Sequence, residues 1–288
     1  MTPSFRDDLT DRATVRRVLA ENAVRPSKRL GQSFLVNRHV LQTIVGVVAG
    51  ADPRHVVEIG PGLGTVTREL GTICSDVVGV EVDRRLAERL RDTLSDVPTV
   101  HVVCQDVLEF PLERGEDGER VFVVGNIPYS LTAPILMYLV RYRHAISGAV
   151  LLTQKEVAQK VMASPGSKGS ALGVSVRAYA DTERIALVKR GSFEPIPDVD
   201  SMLWTLSFLP RPRFHGSEDG FFSLVRAIYG ARRKMLRSVL RELIGSESVV
   251  AVLDQARLDE RVRGETLTFE ELNRLCMAVA EADVDNPH

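Results

Sequence analysis

The segment Glu58-Ile59-Gly60-Pro61-Gly62-Leu63-Gly64 is the strongest indication of the fold class. It follows the short apolar run His55 to Ile59 and leads into a helical pattern that starts near Thr65. A strand, a glycine turn and a helix in this order are typical of a nucleotide-binding α/β sheet, because glycine lets a ligand approach the backbone closely. The spacing G-x-G-x-G, with an acid two residues before the first glycine, disfavours a dinucleotide site, which requires G-x-G-x-x-G.

The rest of the first two thirds of the chain alternates between strand and helix patterns. Four more apolar runs have the length of buried strands: Val77 to Val80, Val100 to Cys104, Val121 to Val124 and Ala149 to Leu152. Helical segments such as Arg84 to Leu94 and Pro134 to Tyr142 separate several of them. This alternation predicts a parallel, doubly wound α/β sheet. Two later candidates, Arg184 to Lys189 and Met202 to Phe208, are expected as a strand pair at its edge.

Three parts are expected along the chain. Residues 1–36 form a basic arm that is irregular or partly helical, and residues 37–209 form the α/β domain. The breaker-rich stretch Pro210 to Ser217 marks a boundary, after which every segment has a helical pattern. Residues 210–288 are therefore predicted to form a small, all-helical domain.

Composition indicates an ordinary globular protein. The 288 residues carry a formal net charge of -1, and the charged N-terminus lacks a hydrophobic signal region, so we expect a soluble cytoplasmic protein. Cys74, Cys104 and Cys276 are widely spaced and form no C-x-x-C pair. We interpret them as reduced core thiols, and no metal site is predicted.

Two acids follow later strands of the predicted sheet. Glu81 ends the second strand, where a carboxylate can accept hydrogen bonds from both hydroxyls of a ribose. Asp106, preceded by Gln105, follows the third strand, where a carboxylate could accept from an adenine amino group. Each acid alone could merely cap the next helix. Together with the glycine loop, they favour an adenosine ligand.

The segment Gly125-Asn126-Ile127-Pro128-Tyr129-Ser130 follows the fourth strand and joins an amide, a proline and an aromatic ring. Adenine N6 is a poor nucleophile because its lone pair is delocalised into the ring. The Asn126 amide oxygen and the Pro128 backbone carbonyl could accept both N6 hydrogens and draw the nitrogen towards tetrahedral geometry. Tyr129 can stack on the base. In isolation, the tetrapeptide Asn126 to Tyr129 could be an ordinary turn between a strand and a helix.

In this order the motifs resemble the ribosomal RNA adenine-N6 dimethyltransferases, in particular the type that acts on small-subunit ribosomal RNA. The resemblance runs from about Lys28 to Ala280. It includes three further segments: Lys28 to Leu35, Gln154 to Val157 and Phe193 to Ser201. It implies a Rossmann-like class I fold with a mostly parallel seven-stranded sheet and S-adenosylmethionine as the cofactor.

The resemblance also implies roles for individual residues. Gln32 to Leu35 would close over the methionine part of the cofactor, Glu81 would bind its ribose and Asp106 its adenine. Phe193 would pack against the target base opposite Tyr129. The expected cofactor-binding residues are Gln32, Ser33, Leu35, Glu58, Gly60, Gly62, Gly64, Glu81, Asp106 and Asn126, and the expected catalytic residues are Asn126, Pro128, Tyr129 and Phe193.

Ser33 departs from the family pattern, which usually has asparagine beside the glutamine. Serine has fewer hydrogen-bonding groups and a shorter reach. We therefore expect a backbone contact at position 33 more than a side-chain contact.

A basic run lies in the predicted helical domain. Between Phe221 and Arg241 there are six basic residues and no acidic one, and the pattern predicts one amphipathic helix with a basic side. A solvated charged face is the simpler interpretation, but the missing acids favour phosphate contacts. The expected RNA-binding residues are Arg232, Arg233, Lys234 and Arg237.

The function implied by the resemblance is dimethylation of two adjacent adenines near the 3′ end of small-subunit rRNA during ribosome biogenesis. The partner would be that rRNA or a pre-assembled small subunit, and the enzyme a monomer. One alternative is a large-subunit rRNA methyltransferase that confers macrolide-type resistance. Another is an RNA-binding assembly factor without catalysis, against which the intact acids and the Asn126 motif argue.

Overall fold

The computed structural model describes residues 7–27, 30–163, 169–231 and 234–285. The helices are α1 (Arg12–Glu21), α2 (Arg38–Ala51), α3 (Thr65–Ile73), α4 (Arg84–Thr93), α5 (Thr132–Arg141), α6 (Lys155–Met162), α7 (Ala171–Arg177), α8 (Glu218–Gly230), α9 (Leu236–Ile244), α10 (Val249–Ala256) and α11 (Phe269–Asp285). The strands are β1 (Phe34–Leu35), β2 (His55–Ile59), β3 (Asp76–Glu81), β4 (Val100–Cys104), β5 (Val121–Asn126), β6 (Ile146–Gln154), β7 (Ala180–Val188), β8 (Phe193–Glu194) and β9 (Ser201–Phe208). No described helix is both long enough and apolar enough to cross a membrane.

Some residues singled out in the sequence lie outside the described ranges. They are Lys28 and Arg29 of the segment before β1, residues 164–168 of the glycine- and serine-rich loop, and Arg232 and Arg233 of the basic run.

The main sheet has seven strands in the order β4-β3-β2-β5-β6-β9-β7. The strands from β4 to β6 are mutually parallel, whereas β9 runs antiparallel to β6. The predicted doubly wound, mostly parallel α/β fold is confirmed. The strand order changes direction between β2 and β5, and ligands bind at the carboxyl ends of strands beside such a switch point.

Both faces of the sheet are covered. Val56 in β2 and Val124 in β5 pack in one cluster with α2 residues such as Val48, while their strand neighbours Val57 and Val123 are equally buried. Because successive side chains in a strand point to opposite faces, this pattern requires apolar cover on both sides. The strands therefore read as nearly continuous apolar runs.

Within its described residues, the predicted basic arm packs against the α/β domain. Val15 and Val18 of α1 are fully buried in a cluster that includes Leu63 and Leu86. The β1 strand pairs antiparallel with β8, a two-stranded sheet that has no local sequence signal. The basic residues of α1 are engaged as well, since Arg12 and Arg16 both pair with Glu194 of β8.

The chain divides into two compact units. The first comprises Met1–Ala158 and Asp181–Phe208, and the second comprises Gln159–Ala180 and Leu209–His288. Residues 159–180, which we expect in the α/β domain, thus group with the C-terminal helices. Within the second unit, the backbone N–H of Leu209 donates to Tyr179 and that of Arg213 donates to Ala178, which ties the two segments together.

The basic run does not form one helix. Helix α8 ends at Gly230 and α9 begins at Leu236, so the prediction of one amphipathic helix across this run is wrong. Leu236 and Val239 are buried in α9, whereas Met235 lies before this helix with 48% of its surface exposed. Each short helix buries its own apolar side.

The cysteines are all free, but they do not share one environment. Cys74 and Cys276 are buried, and burial raises the pKa of both thiols. Cys104 is exposed, which corrects its interpretation as a core thiol. It ends β4, the edge strand of the sheet, where one flank is uncovered.

A cluster of ionisable groups ties the amino ends of two strands to a loop. His55 Nδ1 lies 3.0 Å from Asp76 Oδ2, and its Nε2 lies 3.0 Å from Asp117 Oδ1. Arg54 pairs with Asp117 at 3.2 Å, and His101 of β4 lies 4.0 Å from Asp76. The hydrogen bond to Asp76 and then that to Asp117 raise the pKa of His55. Both ring nitrogens face carboxylates, so the site favours imidazolium.

We predict that His55 stabilises the fold at mildly acidic pH. A raised folded-state pKa gives stability that is complete below the unfolded pKa of about 6.5 and is lost as the pH rises through the folded value. The melting temperature of His55→Gln should therefore fall below wild type by about 2 to 4 °C more at about pH 6 than at about pH 9. Thermal unfolding measures this, with the exposed His39→Gln on α2, outside this cluster, as the matched control. Equal differences at both pH values would contradict it.

Candidate active site

A cavity of about 440 Å³ opens at the carboxyl ends of β2, β3 and β5, a size suited to a small-molecule ligand. Ten of the predicted site residues line it together: Gln32, Ser33, Leu35, Glu58, Gly60, Gly62, Glu81, Asp106, Asn126 and Pro128. They come from distant parts of the sequence. Parallel strands deliver their carboxyl ends to one edge of the sheet, which explains their convergence.

The three glycines of the loop have different roles. Gly60 has a φ of +66° and open space where a Cβ would stand, so a ligand can approach its backbone. Gly62, at φ +59°, lies under the Phe34 ring, which would be 3.0 Å from a Cβ. Gly64 does not line the cavity, so its predicted cofactor contact is corrected. It is the N-cap residue before α3 at φ +86°, and a Cβ there would lie 2.4 Å from Leu90.

Glu81 is buried at the end of β3 and held by two backbone donors. Its Oε2 accepts from the N–H of Gly62 at 3.0 Å, and its Oε1 accepts from that of Asp83 at 2.9 Å. Burial raises the pKa of this carboxyl, although the two hydrogen bonds oppose the rise. Each carboxylate oxygen has a second lone pair, so both can still accept from a ribose.

Asp106 combines a capping role with a place in the cavity. Its Oδ1 accepts from the backbone N–H of Leu108 at 2.9 Å, which shapes the turn after β4. The side chain is exposed, and the bond that shapes this turn uses only Oδ1. Gln105 beside it also lines the cavity, and its Nε2 donates to the Glu109 carbonyl.

Glu58 fits a cationic ligand. It is 4% exposed at the end of β2, and among the described residues its Oε2 has no hydrogen-bond partner. Burial, reinforced by the nearby charge of Glu81, raises its pKa to about 7. A buried acceptor without a partner, beside a second carboxylate, is open to a donor from a ligand. S-adenosylmethionine, with its ammonium, sulfonium and ribose, suits this set of residues.

Residues 30–35, which we call the strap, line the cavity on its other side. Gly31 has a φ of +62°, and a Cβ there would lie 3.1 Å from the Pro128 ring. Gln32 bonds Asp83, and Ser33 bonds Pro195 of the segment between β8 and β9. Sequence reasoning missed Asp83, whose place two residues after Glu81 was the only available signal.

Asn126 and the strap share a hydrogen bond that fixes the amide. Asn126 Nδ2 donates to the backbone carbonyl of Ser33 at 2.9 Å, so Oδ1 is the acceptor end that faces away from it. The Ser33 hydroxyl turns instead to the Pro195 carbonyl at 2.6 Å. The contact at position 33 that reaches Asn126 is thus made by the backbone.

The predicted acceptor role of the Pro128 carbonyl is corrected. This oxygen already accepts from the Leu131 N–H at 3.0 Å and the Thr132 hydroxyl at 3.3 Å, because the chain enters a 3₁₀ turn and then α5. Both lone pairs are therefore occupied. The adjacent Ile127 carbonyl accepts no hydrogen bond from any described residue, and the Asn-x-Pro pattern gave no reason to prefer it.

The two predicted stacking aromatics have different positions. Tyr129 is half-buried just after the cavity-lining Pro128, and burial raises the pKa of its phenol, which is neutral near pH 7. Phe193 is 2% exposed and packs in the core with Leu35, Val188 and Leu203. Its pairing with Leu35 in the β1–β8 ladder turns the ring inwards. The predicted base contact of Phe193 is therefore corrected.

In the second unit, the described members of the predicted RNA-binding set are exposed but paired. Lys234 contacts Glu242, and Arg237 lies 3.2 Å from Glu260. Compensating acids are thus present, although none occurs within the basic run itself. Exposed pairs contribute only about 0 to 1 kcal/mol, so phosphates could displace these carboxylates.

We predict that Glu58 makes the ligand-free protein less stable as the pH rises. The unfolded carboxyl ionises near pH 4.5, whereas the buried one ionises near 7, so stability falls across this interval and levels off above it. The melting temperature of wild type minus that of Glu58→Gln should become more negative from about pH 5 to about pH 8. The exposed Glu69→Gln on α3 is the control. A difference independent of pH would count against the shift.

Comparisons with known proteins identify the family of this chain. The sequence profile of the family "Ribosomal RNA adenine dimethylase" matches residues 24–281. A relative from Clostridioides difficile, "Ribosomal RNA small subunit methyltransferase A", is 36% identical over 93% of this chain and 96% of its own. The crystal structure of the 23S rRNA methyltransferase ErmE matches with a TM-score of 0.69 and 30% identity, covering 86% of this chain and 99% of that one.

A dimethyladenosine transferase from Plasmodium falciparum has the same fold, with a TM-score of 0.73 at 21% identity over 86% of this chain and 98% of its own. The expected class I methyltransferase fold is confirmed by these neighbours. The chain therefore belongs to the ribosomal RNA adenine dimethylase family and is an S-adenosylmethionine-dependent methyltransferase.

Proposed function

We propose that the enzyme adds methyl groups to N6 of two adjacent adenines near the 3′ end of small-subunit rRNA, as a monomer acting on that rRNA or on a pre-assembled subunit. The observation that carries the choice of N6 is the Asn126 amide, oriented by Ser33 at the rim of the cofactor cavity. The choice of subunit is supported by the 36% identity with a small-subunit enzyme along almost the whole chain.

The proposed chemistry depends on acceptors placed around one nitrogen. Asn126 Oδ1 accepts one N6 hydrogen and the free carbonyl of Ile127 accepts the other, which localises the lone pair on nitrogen. Tyr129 stacks on the base, which contributes roughly 1 to 3 kcal/mol. S-adenosylmethionine supplies an electrophilic methyl group. Asn126, Ile127 and Tyr129 would hold the amine in a fixed position, and positioning of this kind lowers the barrier substantially.

The cofactor would be held by residues on both sides of the cavity. Glu81 accepts from the ribose hydroxyls, and Asp106 Oδ2 accepts from the adenine amino group. Glu58 pairs with the cationic end, and the strap excludes water from that side. Each of these acceptors is free or has a spare lone pair.

A large-subunit target is the second candidate, favoured by the match to ErmE at 30% identity. That match covers less of this chain than the small-subunit relative does and has lower identity. Both candidates share the chemistry at Asn126, so only the RNA substrate distinguishes them.

Methylation in vitro tests the proposal. Labelled S-adenosylmethionine is offered with small-subunit particles, naked small-subunit rRNA or large-subunit rRNA, and mass spectrometry identifies the modified adenines. We expect N6-dimethyladenines in the small-subunit substrate. Asn126→Ala should lose methyl transfer by a factor on the order of 100 while keeping the wild-type melting temperature, because the exposed side chain positions substrate and does not fill the core. Label confined to large-subunit rRNA would overturn the proposed target.

The second unit should bind the RNA backbone. We predict that the double variant Lys234→Glu with Arg237→Glu binds RNA more weakly than wild type. The slope of log affinity against log salt concentration should decrease in magnitude by about 1 per lost phosphate contact. The affinity for the cofactor should be unchanged. Fluorescence anisotropy at several salt concentrations measures both. Glu242→Gln with Glu260→Gln is the matched control and should bind RNA as tightly or more tightly. Unchanged affinity in the charge-reversed variant would contradict the contact.

A further inference from the structure

We propose that Asp83, which lies outside the cofactor cavity, is a positioning residue that fixes the Asn126 amide through the strap. This inference rests on the role of Asn126 as the N6 acceptor in the proposed function. It adds a residue and a path that the catalytic motif does not contain.

Asp83 uses its two carboxylate oxygens for different partners. Oδ1 accepts from the backbone N–H of Arg85 at 3.0 Å and so caps α4, while Oδ2 accepts from Gln32 Nε2 at 3.1 Å. Its own N–H donates to Glu81 at 2.9 Å. One residue therefore links the ribose-binding acid, the start of a helix and the strap.

Gln32 transmits this contact to the strap backbone. Its amide is engaged at both ends, because Oε1 accepts from the Ser27 N–H at 2.8 Å while Nε2 donates to Asp83. The backbone N–H of Gln32 also donates to the Ser27 carbonyl at 3.1 Å. A rotation of the amide would break both side-chain bonds, so the bond to Asp83 fixes the strap at the residue next to Ser33.

Contacts on both sides fix the position of Ser33, and its carbonyl in turn orients the Asn126 amide. On one side Gln32 is bound to Asp83, and on the other the Ser33 hydroxyl donates to Pro195 at 2.6 Å. The Ser33 carbonyl between these anchors receives Asn126 Nδ2 at 2.9 Å. If the bond to Asp83 is lost, Gln32 keeps only its bonds to Ser27 in the same segment, and the Ser33 carbonyl that orients the amide can shift.

Loss of the bond between Asp83 and Gln32 should lower turnover more than it lowers the stability of the fold. A displacement of about 1 Å in a positioning group can lower a rate on the order of 100-fold, whereas one partly buried hydrogen bond at a loop contributes little to global stability. Asp83 thus differs from a core residue, whose removal would lower the melting temperature first.

Asp83→Ser separates the two functions of this side chain. Serine is a good N-cap and can still accept from Arg85, but it is too short to reach Gln32. Asp11→Ser is the matched control, because Asp11 caps α1 through Thr14 at 2.7 Å and has no contact with the strap. Gln32→Met, alone and combined with Asp83→Ser, completes a double-mutant cycle.

The variants are compared in kcat and KM on the RNA that wild type methylates, with saturating cofactor. Hydrogen exchange of residues 30–35 is measured for each variant as well. We expect Asp83→Ser to lower kcat about tenfold, with faster strap exchange and a melting temperature equal to that of Asp11→Ser. In the Gln32→Met background the substitution should have no further effect. Wild-type kcat in Asp83→Ser, or additive losses in the double variant, would overturn the inference. Absence of N6 methylation by wild type would instead refute the proposed function, and the exchange data would still test the Asp83–Gln32 bond.

Discussion

The candidate site exists because β2 pairs in parallel with both β3 and β5. This pairing brings the glycine loop, Glu81 and Asn126 to one edge of the sheet, although they are widely separated in the sequence. The pairing is stable because apolar side chains of β2 and β5 are buried on both faces. The polar residues that follow the strands are then the first positions free of this packing, and they form the cavity.

The sequence was informative wherever the signal was local. Continuous apolar runs predicted β2 and β4 with their observed ends, and the alternation with helices predicted the sheet class. The ten residues that share the cavity were also identified, because each follows a strand or belongs to a dense motif. These predictions need no long-range information, because a strand that is buried on both faces is a continuous apolar run within one segment of the chain.

Errors occurred where the structure depends on partners distant in sequence. An aromatic residue before a proline-rich loop can stack on a ligand or fill the core, and only the β1–β8 pairing assigns Phe193 to the core. The charge count around Lys234 could not include Glu260, which approaches from beyond α10. Gly60 and Gly64 are equivalent in the motif, but the direction in which a Cβ would point separates a ligand-facing glycine from one that contacts Leu90.

The hydrogen bond between Asn126 and the carbonyl of Ser33 has a consequence for how this enzyme can diverge. Every amino acid has a backbone carbonyl, so any residue at position 33 supplies the atom that orients the amide, and the serine side chain acts on it only through its bond to Pro195. A substitution at position 33 can preserve methyl transfer, provided that the path of the backbone is preserved. A comparison of sequences would then score position 33 as variable and overlook it, whereas the glycine and glutamine that shape the chain before it would carry the evolutionary constraint.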